Sequence, residues 1–352
     1  MYSIEFNQEC GYLEGITRGF KNGMLKYSDY LNLTQCENID DLTANIQATE
    51  WGHMVHTETE EPDVELLSTR MRDRVVAQYN YLRNHATEPL STFLEYMRYE
   101  YMIDNVVLLI AGLNNHRPMK KLLSLCHPLG LFDELEAIEV ASNTQELFSA
   151  VLIDTPIAKF ISDNMSFKQF ADIDVEIVRA TLFKAYLEDF YNYCKKLGGT
   201  TADVMKNLLS FEADRRSITI AVNSLEGSLT IQKRLSLFPT CGKLGPMSLD
   251  ALAHSLDYEQ VRTISVSACS DYSGMFDSIE RDADNIITLE DRFLMQEAKL
   301  HVRSFLQQFH FGVFYSYIKL KDMECRNIIW IAECIVQRQK DKVNAFIPIP
   351  VF

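Results

Sequence analysis

The chain has 352 residues, 47% of them apolar, a composition typical of a folded globular protein and not of a disordered one. Its 49 acidic residues outnumber 34 Lys and Arg, which gives a formal net charge of −15 at pH 7. This balance lacks the basic footprint that nucleic-acid binding needs and gives no overall attraction to anionic lipid, although a local basic patch remains compatible with it.

Helical periodicity dominates the chain, and strand-like alternation between hairpin turns is nearly absent, so the sequence predicts an all-α fold. The clearest apolar stripe lies within residues 174–197, at three- and four-residue spacing. Gly198-Gly199 is expected to end that helix, because glycine adopts left-handed backbone at little cost, and Thr200 is expected to begin another. Asp257 predicts a further helix start.

The longest predicted helix lies in the last third of the chain. Residues 291–340 contain no proline and one glycine, so we predict a single helix from Phe305 to Gln339, about 50 Å long at 1.5 Å per residue. Residues 309–330 are expected to form a rigid wall that proline at Val313 would disrupt; a plain core helix is an equally open interpretation. The rings of residues 309–317 are too crowded for one helical face and should be covered by another lobe or subunit. Lys321 is among the charged residues expected to keep part of this helix solvated.

Two features recur three times in the same order. Each of the short stretches DLTANI, ELFSAV and QVRTIS precedes, by a nearly constant interval, a polar pair set in apolar sequence. The pairs are Asp104-Asn105, Asp214-Arg215 and Arg326-Asn327, and they too follow one another at nearly equal intervals. This regular spacing predicts an ancient triplication. We therefore expect three helical lobes, residues 1–115, 116–227 and 228–352, about a pseudo-threefold axis or merged into one compact unit.

The polar pairs need an explanation of their own. A polar side chain inside an apolar helix must find partners or lose several kcal/mol of solvation. We expect each pair to tie its helix to neighbouring backbone or to an opposite charge. The alternative is that the pairs face a central hollow.

Sequence patterns of known catalytic and metal sites are absent. The chain has no phosphate-binding loop, dinucleotide fingerprint, zinc-binding H-E-x-x-H or nucleophile elbow, and its eight cysteines form no C-x-x-C. We therefore predict no catalytic residue, metal or cofactor. Scattered thiols and an N-terminus unlike a signal peptide suggest the cytosol. The longest apolar run, residues 106–113, is too short to cross a bilayer.

Several long strings carry a family resemblance. They include GYLEGITRGFKNG, FLEYMRYEYMIDNVVLLI, KLGGTTADVM, FEADRRSI, FHFGVFYSYIKLKDMECRNIIWIAECI and IPIPVF. On these strings the chain resembles the subunit d family of vacuolar-type proton-translocating ATPases (V-ATPases) from about Gly11 to its end, apart from residues 54–72 and 265–288. It is also similar to the corresponding C-type component of archaeal-type rotary ATPases, whose triplicated helical fold agrees with the repeat.

The resemblance implies a funnel-shaped, non-catalytic adaptor in the membrane (V0) sector of a rotary proton pump. Such a subunit would sit on the cytoplasmic face of the proteolipid c-ring and couple it to central-stalk subunits D and F, so that ATP-driven rotation moves protons. It would contact the N-terminal part of subunit a when the sectors separate. It would be peripheral to acidified organelles of the vacuole, lysosome or endosome type, held through partner subunits and not by insertion.

Two other functions remain open from the sequence. The first alternative is a freestanding helical cytosolic scaffold that binds proteins through a concave face. A helical enzyme with an unrecognised site is the second.

Overall fold

The computed structural model describes residues 3–52, 63–132, 146–147, 155–162, 174–227, 229–276 and 287–350. In these ranges the regular structure is helical and contains no β-strand, which confirms the predicted all-α class. The helices are α1 (Ser3–Asn22), α2 (Tyr27–Thr34), α3 (Ile39–Gln47), α4 (Val64–His85), α5 (Leu90–Asn114), α6 (Met119–Leu123), α7 (Ala158–Ser162), α8 (Val175–Leu197), α9 (Gly199–Asn223), α10 (Ile231–Leu237), α11 (Pro246–Ala253), α12 (Tyr258–Ala268), α13 (Ser273–Phe276), α14 (Leu289–Ser304) and α15 (Gly312–Val336). Short 3-10 turns lie at Pro128–Gly130 and Ser270–Tyr272.

The helix boundaries follow local chemistry. The carboxylate of Asp257 accepts the backbone N–H of Gln260 at 2.9 Å and caps α12, as the sequence predicted. Gly198, between α8 and α9, and Gly199, the first residue of α9, both have left-handed φ angles, 69° and 55°. The second helix begins at Gly199, one residue ahead of the predicted Thr200.

Packing divides the chain into two compact units. The first comprises residues 1–91, 198–204 and 274–352, and the second comprises residues 92–197 and 205–273. The three-lobe division and its pseudo-threefold arrangement stay predictions, because they concern sequence repetition and not contact density.

In the first unit, α15 is the central helix. It packs against α1, α2, α3, α4 and α14, and 17 of its 25 residues are buried. The crowded rings at its start are covered from within the same unit: Phe311 packs on Phe6 with ring centroids 5.5 Å apart, and Tyr317 packs on Phe20 at 5.7 Å. Helix α1 therefore supplies much of the cover that the ring density required.

The predicted single helix from Phe305 to Gln339 is wrong at both ends. Helix α14 ends at Ser304 and α15 begins only at Gly312, with Phe309 in the left-handed region at φ 62° between them. At the other end Arg338 has φ 56°, and the Gln339 N–H donates to the Cys334 carbonyl at 2.8 Å, a Schellman-type stop. Phe309 and Arg338, two non-glycine residues in left-handed backbone, mark the two limits of the helix. No glycine or proline in the sequence indicated these limits. The length of α15 is therefore about 37 Å.

The later start of α15 changes the meaning of the proposed proline substitution. Val313 is the second helical residue, where a proline N–H is not needed. A proline that interrupts the helix must lie deeper, for example at the buried Ile318.

In the second unit, α8 packs against α7 and α10, and α11 packs against α10 and α12. The Tyr96 ring from α5 stacks on Phe190 and Tyr193 of α8 at 5.1 and 4.8 Å. Buried Arg234 donates to the Ala253, Ser255 and Ser224 carbonyls at 3.1, 2.9 and 2.9 Å. This guanidinium thus acts as hydrogen-bond donor to carbonyls at the C-terminal ends of α9 and α11, which have no partner within their own helix.

Candidate functional site

The polar pairs place a buried side chain on each of three long helices, and the first is Asn105 on α5. Its amide nitrogen donates to the His127 carbonyl at 3.0 Å, and its amide oxygen accepts the His127 N–H at 2.7 Å. The His127 ring stacks on Tyr101 with centroids 4.4 Å apart. Three residues on, Gly130 approaches the Tyr101 backbone so closely that a Cβ there would collide with the Tyr101 carbonyl. The amide therefore holds the loop that follows α6 against α5.

Asn327 on α15 makes the same pair of bonds. Its amide nitrogen donates to the Ile347 carbonyl at 2.7 Å, and the Ile347 N–H donates to its amide oxygen at 2.9 Å. The preceding residue, Phe346, stacks on Tyr30 of α2 with ring centroids 5.1 Å apart. The C-terminal segment is thereby fixed to the central helix of the first unit.

Asp214 on α9 binds two consecutive N–H groups instead of one residue. Its carboxylate accepts from Lys243 and Leu244 at 2.8 and 3.1 Å, and from the Tyr272 hydroxyl at 2.5 Å. A side chain at Gly242 would collide with this carboxylate. Burial raises the pKa of Asp214, and the three donated hydrogen bonds oppose that shift. Burial likewise raises the pKa of Tyr272, with the Asp214 charge adding to it.

We call these three contacts the helix–loop clamps, at Asn105, Asp214 and Asn327. The clamp residues follow one another at nearly equal intervals, and each binds backbone that lies further along the chain. All three side chains are buried, at 3%, 1% and 1% exposure. The partners of all three side chains are backbone groups of loops, joined at Asp214 by the Tyr272 hydroxyl.

The other members of the pairs are more exposed. Asp104 forms an ion pair with Arg179 at 2.9 Å in the second unit, with both side chains over 40% exposed. Arg215 donates to Glu212, one turn earlier on α9, at 2.7 Å. Arg326 is exposed on α15. The ion pair of Asp104 with Arg179 is exposed enough to contribute little to the free energy of unfolding.

A buried ion cluster in the first unit corrects one sequence-based expectation. Lys321, predicted to keep α15 solvated, is fully buried between the carboxylates of Glu324, at 2.5 Å, and Glu50. Its ammonium also lies 4.0 Å from the centroid of the Trp51 ring. Burial lowers the pKa of Lys321, while Glu324 opposes that shift. The Glu324 carboxylate additionally accepts the Leu25 N–H at 2.5 Å. The spacing of Lys321 and Glu324, three residues apart, was the available signal.

A second polar contact missed in the sequence holds the loop between α14 and α15. The Arg18 guanidinium on α1 donates to the carbonyls of Phe305, at 2.7 Å, and Gln307. Glu14, which pairs with Arg18 at 2.6 Å, accepts the Phe309 N–H at 3.2 Å. One ion pair thereby fixes the turn that separates the two helices.

The described residues contain no group of three or more His, Cys, Asp or Glu placed to hold a metal ion. Across the same part of the chain, no helix has the length and apolarity to cross a membrane. The buried polar side chains described above, at Asn105, Asp214, Asn327 and Arg234, bind backbone carbonyls and amides. Their chemical capacity is to hold segments in place.

Comparisons with known proteins agree along the whole chain. The family described as ATP synthase (C/AC39) subunit matches residues 13–346. A Drosophila melanogaster protein named probable V-type proton ATPase subunit d 2 is 59% identical over 349 residues, 99% of each chain. V-type proton ATPase subunit d of Dictyostelium discoideum is 44% identical over 345 residues, 98% of this chain and 96% of that one. The Saccharomyces cerevisiae protein of that name is 36% identical over 353 residues, 99% of this chain and all of the other.

Proposed function

Since the chain belongs to the ATP synthase (C/AC39) subunit family and is similar to V-ATPase subunit d over nearly its full length, we propose that it couples the proteolipid ring of a rotary proton pump to the central stalk. In this role it is a structural subunit without an active site of its own. Its partners are the c-ring, central-stalk subunits D and F and the N-terminal part of subunit a. It works at the cytoplasmic face of an acidified organelle, held there by these partners.

The observation that carries the proposal is the full-length family match, and the packing of α15 supports it. A part that transmits torque must resist deformation, which favours close-packed helices over mobile loops. Five helices surround α15, and the Lys321 cluster and the Asn327 clamp add directional bonds to it. These contacts support the proposal, because a mechanical coupling needs a close-packed first unit of this kind.

Purification from membranes tests the proposal against a freestanding scaffold. An affinity-tagged chain, expressed in its native cell and extracted with mild detergent, is expected to bring down the proteolipid ring in a fixed ratio. The matched control is the same tagged chain with proline at Ile318, which interrupts α15 and should lose the ring. Recovery of the unaltered chain in the soluble fraction, free of proteolipid, would instead favour the scaffold.

A further inference from the structure

The chain leaves α15 through an exposed turn. Every residue from Val336, the last of α15, to Lys342 is exposed, seven in succession. On the adjoining face of α15, Trp330 is 41% exposed, and Val336 is 56% exposed at the helix end. We call residues 336–342, together with Arg326 and Trp330, the basic turn.

The basic turn is held in one conformation. The Trp330 indole N–H donates to the Lys342 carbonyl at 3.1 Å, which draws the turn onto the helix. The Schellman-type bond from Gln339 to Cys334 fixes its first half. Because the indole N–H is satisfied internally, the exposed part of the ring is apolar surface that needs no polar partner.

The charge of the basic turn is opposite to that of the chain. Arg326, Arg338, Lys340 and Lys342 are exposed, and none of them forms an ion pair with the part of the chain that the structure describes. With Asp341 and the neighbouring Asp322 and Glu333, the local charge is +1, against −15 for the whole chain. Favourable interaction with the helix dipole accounts for cations near a helix C-terminus but not for an exposed indole among them.

From this combination we infer that the basic turn contacts an anionic lipid surface. Each Lys or Arg near such a surface contributes about 1 kcal/mol, and indole rings concentrate at the membrane–water interface. A projecting turn with an apolar centre and long cationic side chains around it fits a flat headgroup layer, since those side chains can reach phosphates while the ring faces the acyl boundary. The inference goes beyond the adaptor role, because it concerns direct contact with lipid and not with another subunit.

The test uses the isolated full-length chain and sedimentation with vesicles. Mixed vesicles of phosphatidylcholine and phosphatidylserine are compared with vesicles of phosphatidylcholine alone, at low salt (about 50 mM NaCl) and at high salt (about 500 mM NaCl). The chain is expected to sediment with the anionic vesicles at low salt only. Replacement of two cations, Lys340→Gln with Lys342→Gln, should weaken partitioning about 25-fold, since each charge is worth about fivefold. The Lys342 carbonyl that binds Trp330 is unchanged in this variant.

A matched pair elsewhere serves as control. Lys195→Gln with Lys196→Gln removes the same charge from exposed positions at the end of α8 and should leave partitioning within about twofold of the unaltered chain. Equal losses in both variants, or equal binding to neutral vesicles, would overturn the inference. Absence of vesicle binding would overturn it as well. If the Lys340/Lys342 variant then weakened only co-purification with other pump subunits, the basic turn would bind an acidic protein surface instead. Because vesicle binding is measured without the pump, its failure leaves the proposed coupling role intact.

Discussion

Asn105, Asp214 and Asn327 each place a polar side chain in a packed interior and bind the backbone of a loop. An unpaired buried amide or carbonyl costs about 1–3 kcal/mol, so each clamp removes a penalty that its loop would otherwise carry. The amide side chains at Asn105 and Asn327 suit one residue's N–H and C=O together. The carboxylate of Asp214 suits N–H groups and a hydroxyl, because it only accepts.

Asn327→Ala should lower the free energy of unfolding by about 2–3 kcal/mol, since it leaves the Ile347 N–H and C=O without their partner. Chemical denaturation monitored by circular dichroism measures the change. The control Asn115→Ala, at an exposed site, should stay within about 0.5 kcal/mol. A clamp variant as stable as that control would show that the contact is not stabilising.

Lys321→Met should destabilise the chain by about 3–5 kcal/mol, because it leaves the fully buried Glu324 and the half-buried Glu50 without their cation. Lys319→Met, two residues earlier and partly exposed, should cost less than about 1 kcal/mol. In a double-mutant cycle, Glu324→Gln added to Lys321→Met should restore part of the loss. Additive losses would contradict charge pairing as the cause.

Because His310 is buried, we predict that the free energy of unfolding falls in mild acid. Burial lowers the pKa of His310, whose Nε2 lies 3.0 Å from the Ser304 carbonyl, with Glu14 and Arg18 the charged groups that face it. The folded chain therefore binds fewer protons here than the unfolded chain, and stability falls as the pH drops below the unfolded value of about 6.5. Between pH 7.5 and 5.5 this group accounts for at most about 1.4 kcal/mol.

Denaturation of the unaltered chain and of His310→Gln at both pH values measures that contribution. The variant should show the smaller acid loss, while the other histidines act equally in both proteins. An identical pH dependence would show that His310 does not titrate in this range.

At the scale of elements, the sequence predicted helix type well and helix ends less well. The stops at Gly198 and the cap at Asp257 were predictable, because glycine and a capping carboxylate act locally. The ends of α15 were not. Phe309 takes left-handed backbone where Glu14 and Arg18 bind residues 305–309, and Arg338 takes it at the other end although it is not a glycine. Local propensity carries no signal of contacts between opposite ends of the chain.

Because α15 begins at Gly312, proline at Ile318 and proline at Val313 are expected to damage the helix to different extents. Ile318→Pro removes an interior helix bond and should cost about 3 kcal/mol or more, with loss of pump assembly. Val313→Pro falls in the first turn and should cost markedly less of the helical circular dichroism signal. Equal damage from both would mean that side-chain packing at Val313, and not helix geometry, dominates.

The sequence also predicts one part of each helix–loop clamp and not the other. Polar pairs inside apolar helices were visible as an anomaly, so the three pairs could be selected, but not which member of each pair is buried. Their loop partners could not, because pairing with a distant loop depends on how the chain folds back. The sequence predicts a solvated Lys321, because a lysine stem can reach water, and only the packing of α2, α3 and α15 shows otherwise.

At the scale of the whole molecule, the helical fold, the backbone-binding clamps and the full-length likeness to V-ATPase subunit d support one central proposal, mechanical coupling between ring and stalk. The acidic surface keeps such a part from general adsorption to anionic lipid and leaves specific contacts to set its place. The threefold repetition of the clamp positions is consistent with three lobes, which stays a prediction.

An electron cryomicroscopy map of the native pump, purified from membranes through a tag on this chain, tests the claim most directly. The account predicts helical density for one copy between the proteolipid ring and the central stalk, in contact with both. Density for the chain at the periphery, with the stalk seated on the ring by itself, would contradict it.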